Sequence, residues 1–430
     1  SSLGVVQTGV KQSQIAVDGD TYETAAWIDG YAEEQGQEYP ENYVLSPWGR
    51  NRVYNYFVNG ESERYGFARR NYGPLLRAQS PAGIDEVQST LDQHGVGYVI
   101  TRSGGNDPTS VQSRLHNRFG SRGESVPGLA RFRMVHSTDD GSEKVFEYVE
   151  GARITGSGPA NETVTVETDA PVGDQTVTYT RQVQTNRYGD YRVTVPYTGE
   201  YRIGDTSEQV PESAVRNGGL TGAYQSHWTF DEGSGSVTED ALTDATGRVE
   251  GASWTDGVHG SAVSFDDGNG TVIVDEPDRE SLSNTSFTVG LWVRGDIAST
   301  QQRFPHVLTQ ESENGQGYGV WAQRERNRFG VAVADESGDR ITNFGIQQTE
   351  FDHWTHIAFV VDRPGDELRL YRNGTLVSTR DISGLGAVPD DGPLVVGGRT
   401  ASRHATGEVD SIRLYRTSLN ETGVRELAEK

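Results

Sequence analysis

The 430-residue chain has no cysteine, one methionine (Met134) and three lysines, Lys11, Lys144 and Lys430. The absence of cysteine excludes a disulfide framework and any thiolate metal site. No apolar run reaches the length of about 18 residues that a membrane-spanning helix needs, and no signal-peptide pattern is present. Arginine supplies the rest of the 38 basic residues, against 62 acids, and the net charge is -24. That charge opposes non-specific binding to nucleic acid. It also suits concentrated salt, where repulsion is screened, carboxylates hold water and few lysine stems expose apolar surface. A GC-rich genome would leave the same bias of arginine over lysine. Stability in dilute buffer separates the two readings: the halophile reading expects structure to be lost there. Because it starts at Ser1, the chain reads as cut from a longer protein, with any membrane anchor upstream.

Glycine is abundant at 53 residues, and short runs of Tyr, Thr and Val alternate with Gly, Asp and Asn clusters. This length and pattern predict about two to four domains, mostly of β structure. Five Asn-x-Ser/Thr sequons, at Asn161, Asn269, Asn284, Asn373 and Asn420, fit an exported, extracellular surface. Residues 1–150 predict a small α/β domain with parallel strands. Its elements are a helix over 21–35 with Ala25, Ala26, Ile28 and Tyr31 inward, and a buried strand at Tyr43-Val44-Leu45. A polar stretch over 51–78, a helix over 83–95, a strand at 96–101, a helix over 109–119 and two strands within 128–150 follow. Period-two alternation at 164–168, 176–180 and 191–195 predicts a small all-β module over 151–210. Residues 211–223 read as a linker, and 224–430 as a β-sandwich.

The last region carries a series of motifs. They are Trp228-Thr-Phe-Asp-Glu-Gly233, Asp244-Ala-Thr-Gly247, Gly257-Val-His-Gly260 with Phe265-Asp266, and Ser286-Phe-Thr-Val-Gly-Leu-Trp-Val293. Trp354-Thr-His-Ile-Ala-Phe-Val-Val-Asp362, Leu370-Tyr-Arg-Asn-Gly374 and Gly407-Glu-Val-Asp410-Ser-Ile-Arg-Leu-Tyr415 complete it. In this order they resemble the laminin-G-like, concanavalin A-like jelly roll over nearly all of 224–430. Ile357, Phe359 and Val361 predict a core face, Arg372-Asn373-Gly374 a hairpin turn, and Trp292 and Trp354 core positions. The resemblance implies a structural Ca2+. Asp231, Glu232 and Asp410 are the candidate ligands, because the first and last strands come together in such folds, with Asp244 and Asp266 weaker. The alternative is that these acids are ordinary turn residues. It also implies glycan or protein binding, for which Tyr318, Trp321 and Arg324 offer aromatic faces and a polar group.

The first half resembles the soluble C-terminal domain of oligosaccharyltransferases, the membrane glycosyltransferases of archaeal N-glycosylation. The resemblance rests on Tyr43-Val-Leu-Ser-Pro-Trp-Gly49, Val96-Gly-Tyr-Val-Ile100, the stretch from Val145 to Asn161 and that from Gln182 to Pro196. Where that family has Trp-Trp-Asp, this chain has Pro47-Trp48-Gly49, so one Trp carries over and the Asp does not. The family's divalent metal and lipid-linked donor site lie in membrane parts outside this sequence. No catalytic residue is therefore assigned here. Trp48, Arg50, Arg52 and Tyr54 are candidates for acceptor or glycan binding, and a helix packed on its Tyr and Phe face with solvated arginines is the plainer alternative. The expected function is the extracellular portion of an oligosaccharyltransferase-like enzyme at the cell membrane, with glycan or glycoprotein partners. The competing expectation is a non-catalytic cell-surface lectin or adhesin; a secreted glycosidase lacks a specific carboxylate motif.

Overall fold

The computed structural model describes residues 19–429 apart from 62, 105–106, 174, 266–269, 276, 280, 297–302, 313 and 399–402. Asp266 and Asn269 thus lie outside the described residues. The chain forms two compact units. One comprises residues 1–153, 163–183 and 193–219, and the other 154–162, 184–192 and 220–430. The stretch 151–210 contributes to both.

The first unit opens with helix α1 (Gly19–Glu34), strand β1 (Tyr43–Leu45), helices α2 (Trp48–Asn59), α3 (Tyr65–Arg77) and α4 (Pro81–Gln93), and strand β2 (Val96–Arg102). Helix α5 (Val111–Arg118) and strands β3 (Phe132–Ser137) and β4 (Glu143–Tyr148) follow. The strand order is β1-β2-β4-β3. Only β1 and β2 are parallel; β2–β4 and β4–β3 are antiparallel. Ala25, Ile28 and Ala32 of α1 pack with Val44, Tyr54, Val58, Tyr98, Ile100 and Val145. Ala26, expected inward, is exposed, and Thr21 and Thr24 take inward places. The polar stretch 51–78 is largely the two helices α2 and α3. Strands Thr163–Val172, Gln175–Gln184, Gly199–Ile203 and Thr206–Val210 form a further sheet of the expected period-two type. Within the expected linker lie a short helix, Glu212–Asn217, and the strand Leu220–Thr221.

The second unit is a two-sheet sandwich with eight strands in each sheet among the described residues. Its core is built from inward Val, Leu, Ile and Phe, including Ile357, Phe359 and Val361. The first strand, Tyr224–Trp228, pairs antiparallel with the last, Glu408–Tyr415. Asn373 (φ 46°) and Gly374 (φ 76°) make a two-residue turn between Glu367–Arg372 and Thr375–Asp381. Both left-handed conformations match the strand twist there. Trp292 and Trp354 are half-buried rather than core: Trp292 meets His356 edge-on and the Arg294 guanidinium lies 4.7 Å from the Trp354 ring.

Candidate functional site

The aromatic side chains proposed from sequence divide sharply. Trp48 is 60% exposed at the start of α2. Half-buried Arg50 and exposed Arg52 follow it on the same helix. Tyr54 turns inward and its hydroxyl donates to Glu143 at 2.6 Å. Burial and that carboxylate raise its pKa, so it is a core phenol and offers no sugar a face. Tyr318 is likewise core, donating to Gln310 Oε1 at 2.6 Å. Trp321 lies outside that core, yet both its faces are taken: His306 stacks at 4.6 Å, and the Arg340 guanidinium sits 4.7 Å from the ring centre. Arg324 is exposed in a short 3-10 turn, and no open ring accompanies it at Tyr318 or Trp321.

The acids also divide. Asp231 and Asp410 both reach the turn at 257–261. Asp231 Oδ1 accepts from the Ser261 N–H at 2.9 Å, and Asp410 Oδ2 accepts from the Val258 N–H at 2.7 Å. Burial, reinforced by the nearby Asp231 charge, pushes the Asp410 carboxyl up to about 7 against its backbone donors. Asp231 is ion-paired with Arg187. Glu232 closes a local turn, accepting from Thr238 and from the Glu239 N–H at 2.8 Å. Asp244 is exposed and pairs with Arg192 at 3.0 Å. Calcium takes about six to eight oxygens. Among the described residues no three carboxylate or imidazole groups converge, so carbonyls and water would have to supply most of those oxygens. Calcium added to chelator-treated protein is therefore expected to leave the melting temperature unchanged; a rise abolished by Asp410→Ala would restore the metal reading.

Three loops of the second unit enclose a cleft of about 540 Å3 lined by Gly158, Pro159, Ala160, Arg187, Tyr188, His259 and Gly260. The local chemistry of the chain fixes its walls. Asn186 Oδ1 accepts from the N–H groups of Tyr188 and Asp190 at 2.8 and 2.9 Å, an Asx turn that holds Arg187 and Tyr188 at its tip. Gly158 N–H donates to Gly189 O at 2.8 Å. A Cβ on Gly189 would stand 2.1 Å from the Gly158 carbonyl oxygen, so only glycine permits that approach. The Arg187 guanidinium lies 4.8 Å from the Tyr188 ring centre, and His259 meets that ring edge-on at 6.4 Å. The Tyr188 hydroxyl is buried and has no hydrogen-bond partner. Among the described residues no carboxylate lines the cleft. It can offer a guanidinium, an imidazole and the part of the Tyr188 ring that Arg187 leaves open, while the buried hydroxyl faces away from it. Sequence reasoning quoted Tyr188 only within a longer resemblance; the Asn-Arg-Tyr-Gly-Asp turn was the available signal.

Behind Tyr188, His227 Nδ1–H donates to Asp190 Oδ2 at 2.6 Å and Nε2 accepts from the Ser411 hydroxyl at 3.0 Å. The carboxylate can only accept, which sets this tautomer. The order is that of a nucleophilic triad. Each residue, however, is at most 3% exposed, and none lines the cleft. A nucleophile must meet its substrate. The chain of bonds is therefore a buried lock.

Comparison with known proteins matches two parts of the chain. Residues 266–425 match the concanavalin A-like lectin/glucanases superfamily. Residues 151–221 match the archaeal glycosylation protein B long peripheral domain. No curated protein sequence matches the chain. Among solved structures, the binding domain of Paraclostridial Mosquitocidal Protein 1 is similar at 16% identity and a TM-score of 0.41, covering 48% of this chain and 52% of that one. The botulinum neurotoxin serotype D ligand binding domain, solved in complex with N-acetylneuraminic acid, is similar at 12% identity and a TM-score of 0.40, covering 47% and 50%. The chain thus spans about half the length of these structures.

Proposed function

We propose that this chain, which joins an archaeal glycosylation-protein peripheral domain to a concanavalin A-like jelly roll, is the extracellular recognition portion of an oligosaccharyltransferase-like membrane glycosyltransferase. In this reading it performs no sugar transfer itself, and it holds a glycan or glycoprotein in the cleft floored by Tyr188. The observation that carries the reading is the cleft's composition. The matched peripheral segment supplies Gly158, Pro159, Ala160, Arg187 and Tyr188, and the jelly roll supplies His259 and Gly260, all within one compact unit. Sugar rings present a flat C–H face that suits an aromatic floor and hydroxyls that suit guanidinium and imidazole groups. The missing Trp-Trp-Asp acid beside Trp48 favours a second reading, a non-catalytic surface lectin. Both readings put the glycan in the same cleft, and a membrane-spanning transferase part in the native protein separates them.

Titration of the full chain with soluble oligosaccharides tests the site. Tyr188→Ala is expected to weaken binding about tenfold, near 1.4 kcal/mol, while Arg324→Ala leaves it unchanged. Binding by the wild-type chain that survives Tyr188→Ala and Arg187→Ala together would remove the glycan from this cleft.

A further inference from the structure

Helix α2 buries two asparagines beside two core residues and leaves most of its rings outside. Its inward positions are Asn51, Tyr54, Asn55 and Val58. The asparagines are accounted for, since β1 is an edge strand. Asn51 Nδ2 and Asn55 Nδ2 donate to Val44 O at 2.7 and 2.9 Å, and Asn55 Oδ1 accepts from Val44 N–H at 2.9 Å. The outward positions carry the rings. Trp48, Arg52 and Tyr56 fall at spacings of four on one exposed stripe with Phe57 beside it, and Tyr56 is 64% exposed. Phe57 meets Tyr22 and Tyr56 edge-on at 5.2 and 5.3 Å, yet Trp48 and Tyr56 stay more than half exposed.

The charge is as anomalous as the rings. Helices α2 and α3 carry Arg50, Arg52, Arg69, Arg70 and Arg77 and no carboxylate, in a chain of net charge -24. Glu61 and Glu63 lie in the turn between the helices. The Arg52 guanidinium lies 4.0 Å from the Tyr65 ring centre, and that of Arg69 lies 5.9 Å from Trp48. Rings and guanidinium groups therefore share one open face.

We propose that this face docks on the anionic headgroup layer of a lipid bilayer. Trp and Tyr settle at the boundary between headgroups and acyl chains, where the ring is half-apolar and its polar edge stays wet. Arginine forks match phosphate diesters, and a helix with this pattern lies in the interfacial plane. The row from Trp48 to Tyr56 is about 12 Å long at the helical rise, longer than one sugar ring needs. The acidic remainder of the chain is repelled by the same lipids, which leaves this face as the one that turns toward them. The proposal concerns the first unit and is independent of the cleft at Tyr188.

The test is co-sedimentation of the full chain with vesicles of phosphatidylcholine alone and with a third of the lipid replaced by phosphatidylglycerol. The wild type is expected to sediment with the anionic vesicles, and progressively less as salt is raised. Trp48→Ser with Tyr56→Ser, both at exposed positions, should weaken binding at least tenfold with an unchanged far-ultraviolet circular dichroism spectrum and melting temperature. Arg52→Ser and Arg69→Ser should each cost roughly fivefold and reduce the preference for the anionic lipid. A wild type that stays in the supernatant, or a Trp48/Tyr56 double variant that binds as well as the wild type, overturns the proposal. So would a face that instead takes a soluble oligosaccharide or a second copy of the chain, read by titration and by gel filtration.

Discussion

His227→Ala is expected to lower the unfolding free energy of the jelly-roll unit by about 1–3 kcal/mol, the cost of leaving a buried carboxylate without the hydrogen bond it accepts from a neutral imidazole. Asp190 would keep its carboxylate at most 3% exposed and lose the imidazole N–H at 2.6 Å. Burial alone would raise Asp190, but the His227 hydrogen bond leads the interactions that leave it lowered. The measurement is urea unfolding followed by tryptophan fluorescence, with Trp228 next to the substitution. A loss below about 1 kcal/mol would make the lock no stronger than an ordinary hydrogen bond. Acid reads the same residue. Burial, and then the charge of Arg413, push His227 down to about 4, and burial with Arg413 pushes His356 down to about 3. Their neutral forms stabilise the fold fully above the ordinary imidazole pKa. As pH falls from about 6.5 toward 4, the unfolded chain takes up protons that the folded one refuses, and stability declines. Asp410 acts in the opposite sense: its raised pKa contributes stability at low pH that is lost as pH rises through about 7. His227→Ala should flatten the acid limb while leaving the Asp410 limb in place.

Glu147→Ala should destabilise the first unit by about 3–5 kcal/mol, because here the partners left behind are charged. Glu147 is fully buried, and four groups converge on it. Arg133 Nε donates at 2.8 Å, Arg216 Nη1 at 2.9 Å, and Tyr31 Oη and Gln37 Nε2 each at 3.1 Å. Without it, Arg133 keeps only Glu212 among its carboxylates, at 2.7 Å, while itself almost buried. Burial, with the Glu147 charge, holds the Tyr31 phenol up at about 12. Loss of the carboxylate removes part of that rise, so the Tyr31 titration should move toward its ordinary value. Thermal unfolding together with phenolate absorbance gives both readings. Glu147→Gln keeps the shape and some hydrogen bonds, and should cost roughly half as much. A glutamine variant as unstable as the alanine one would place the effect in charge alone.

The sandwich was legible because its motifs come in order and its strands alternate with period two, so the core face could be read from residues such as Ile357 and Phe359. The partner strands of Asp231 and Asp410 were legible for the same reason. The helices at 48–77 were harder to read. Their inward positions are asparagines satisfied by the edge of β1, and hydrophobic periodicity cannot see a face buried through hydrogen bonds. Packing on a Tyr and Phe face holds for Tyr54 and fails for Tyr56 and Phe57, and the binding reading put Tyr54 on the open side. Trp321 misled differently. A strand pattern shows that a ring leaves the main core, and cannot show that His306 and Arg340 cover both its faces. The cleft at Tyr188 joins the loop at 158–160 to two turns about 70 residues apart in sequence, Asn186–Asp190 and Gly257–Ser261, a meeting that no local pattern encodes.

The second unit includes residues 154–162 and 184–192 as well as the jelly roll itself. His227, on the first jelly-roll strand, finds its carboxylate in the second of these segments. A jelly roll moved alone into another protein would therefore leave with an imidazole lacking its acid and a cleft lacking its floor. Lineages that carry this arrangement are expected to inherit the two pieces as one cassette, and recombination between residues 192 and 220 should be selected against even though no core strand of the sandwich is cut there.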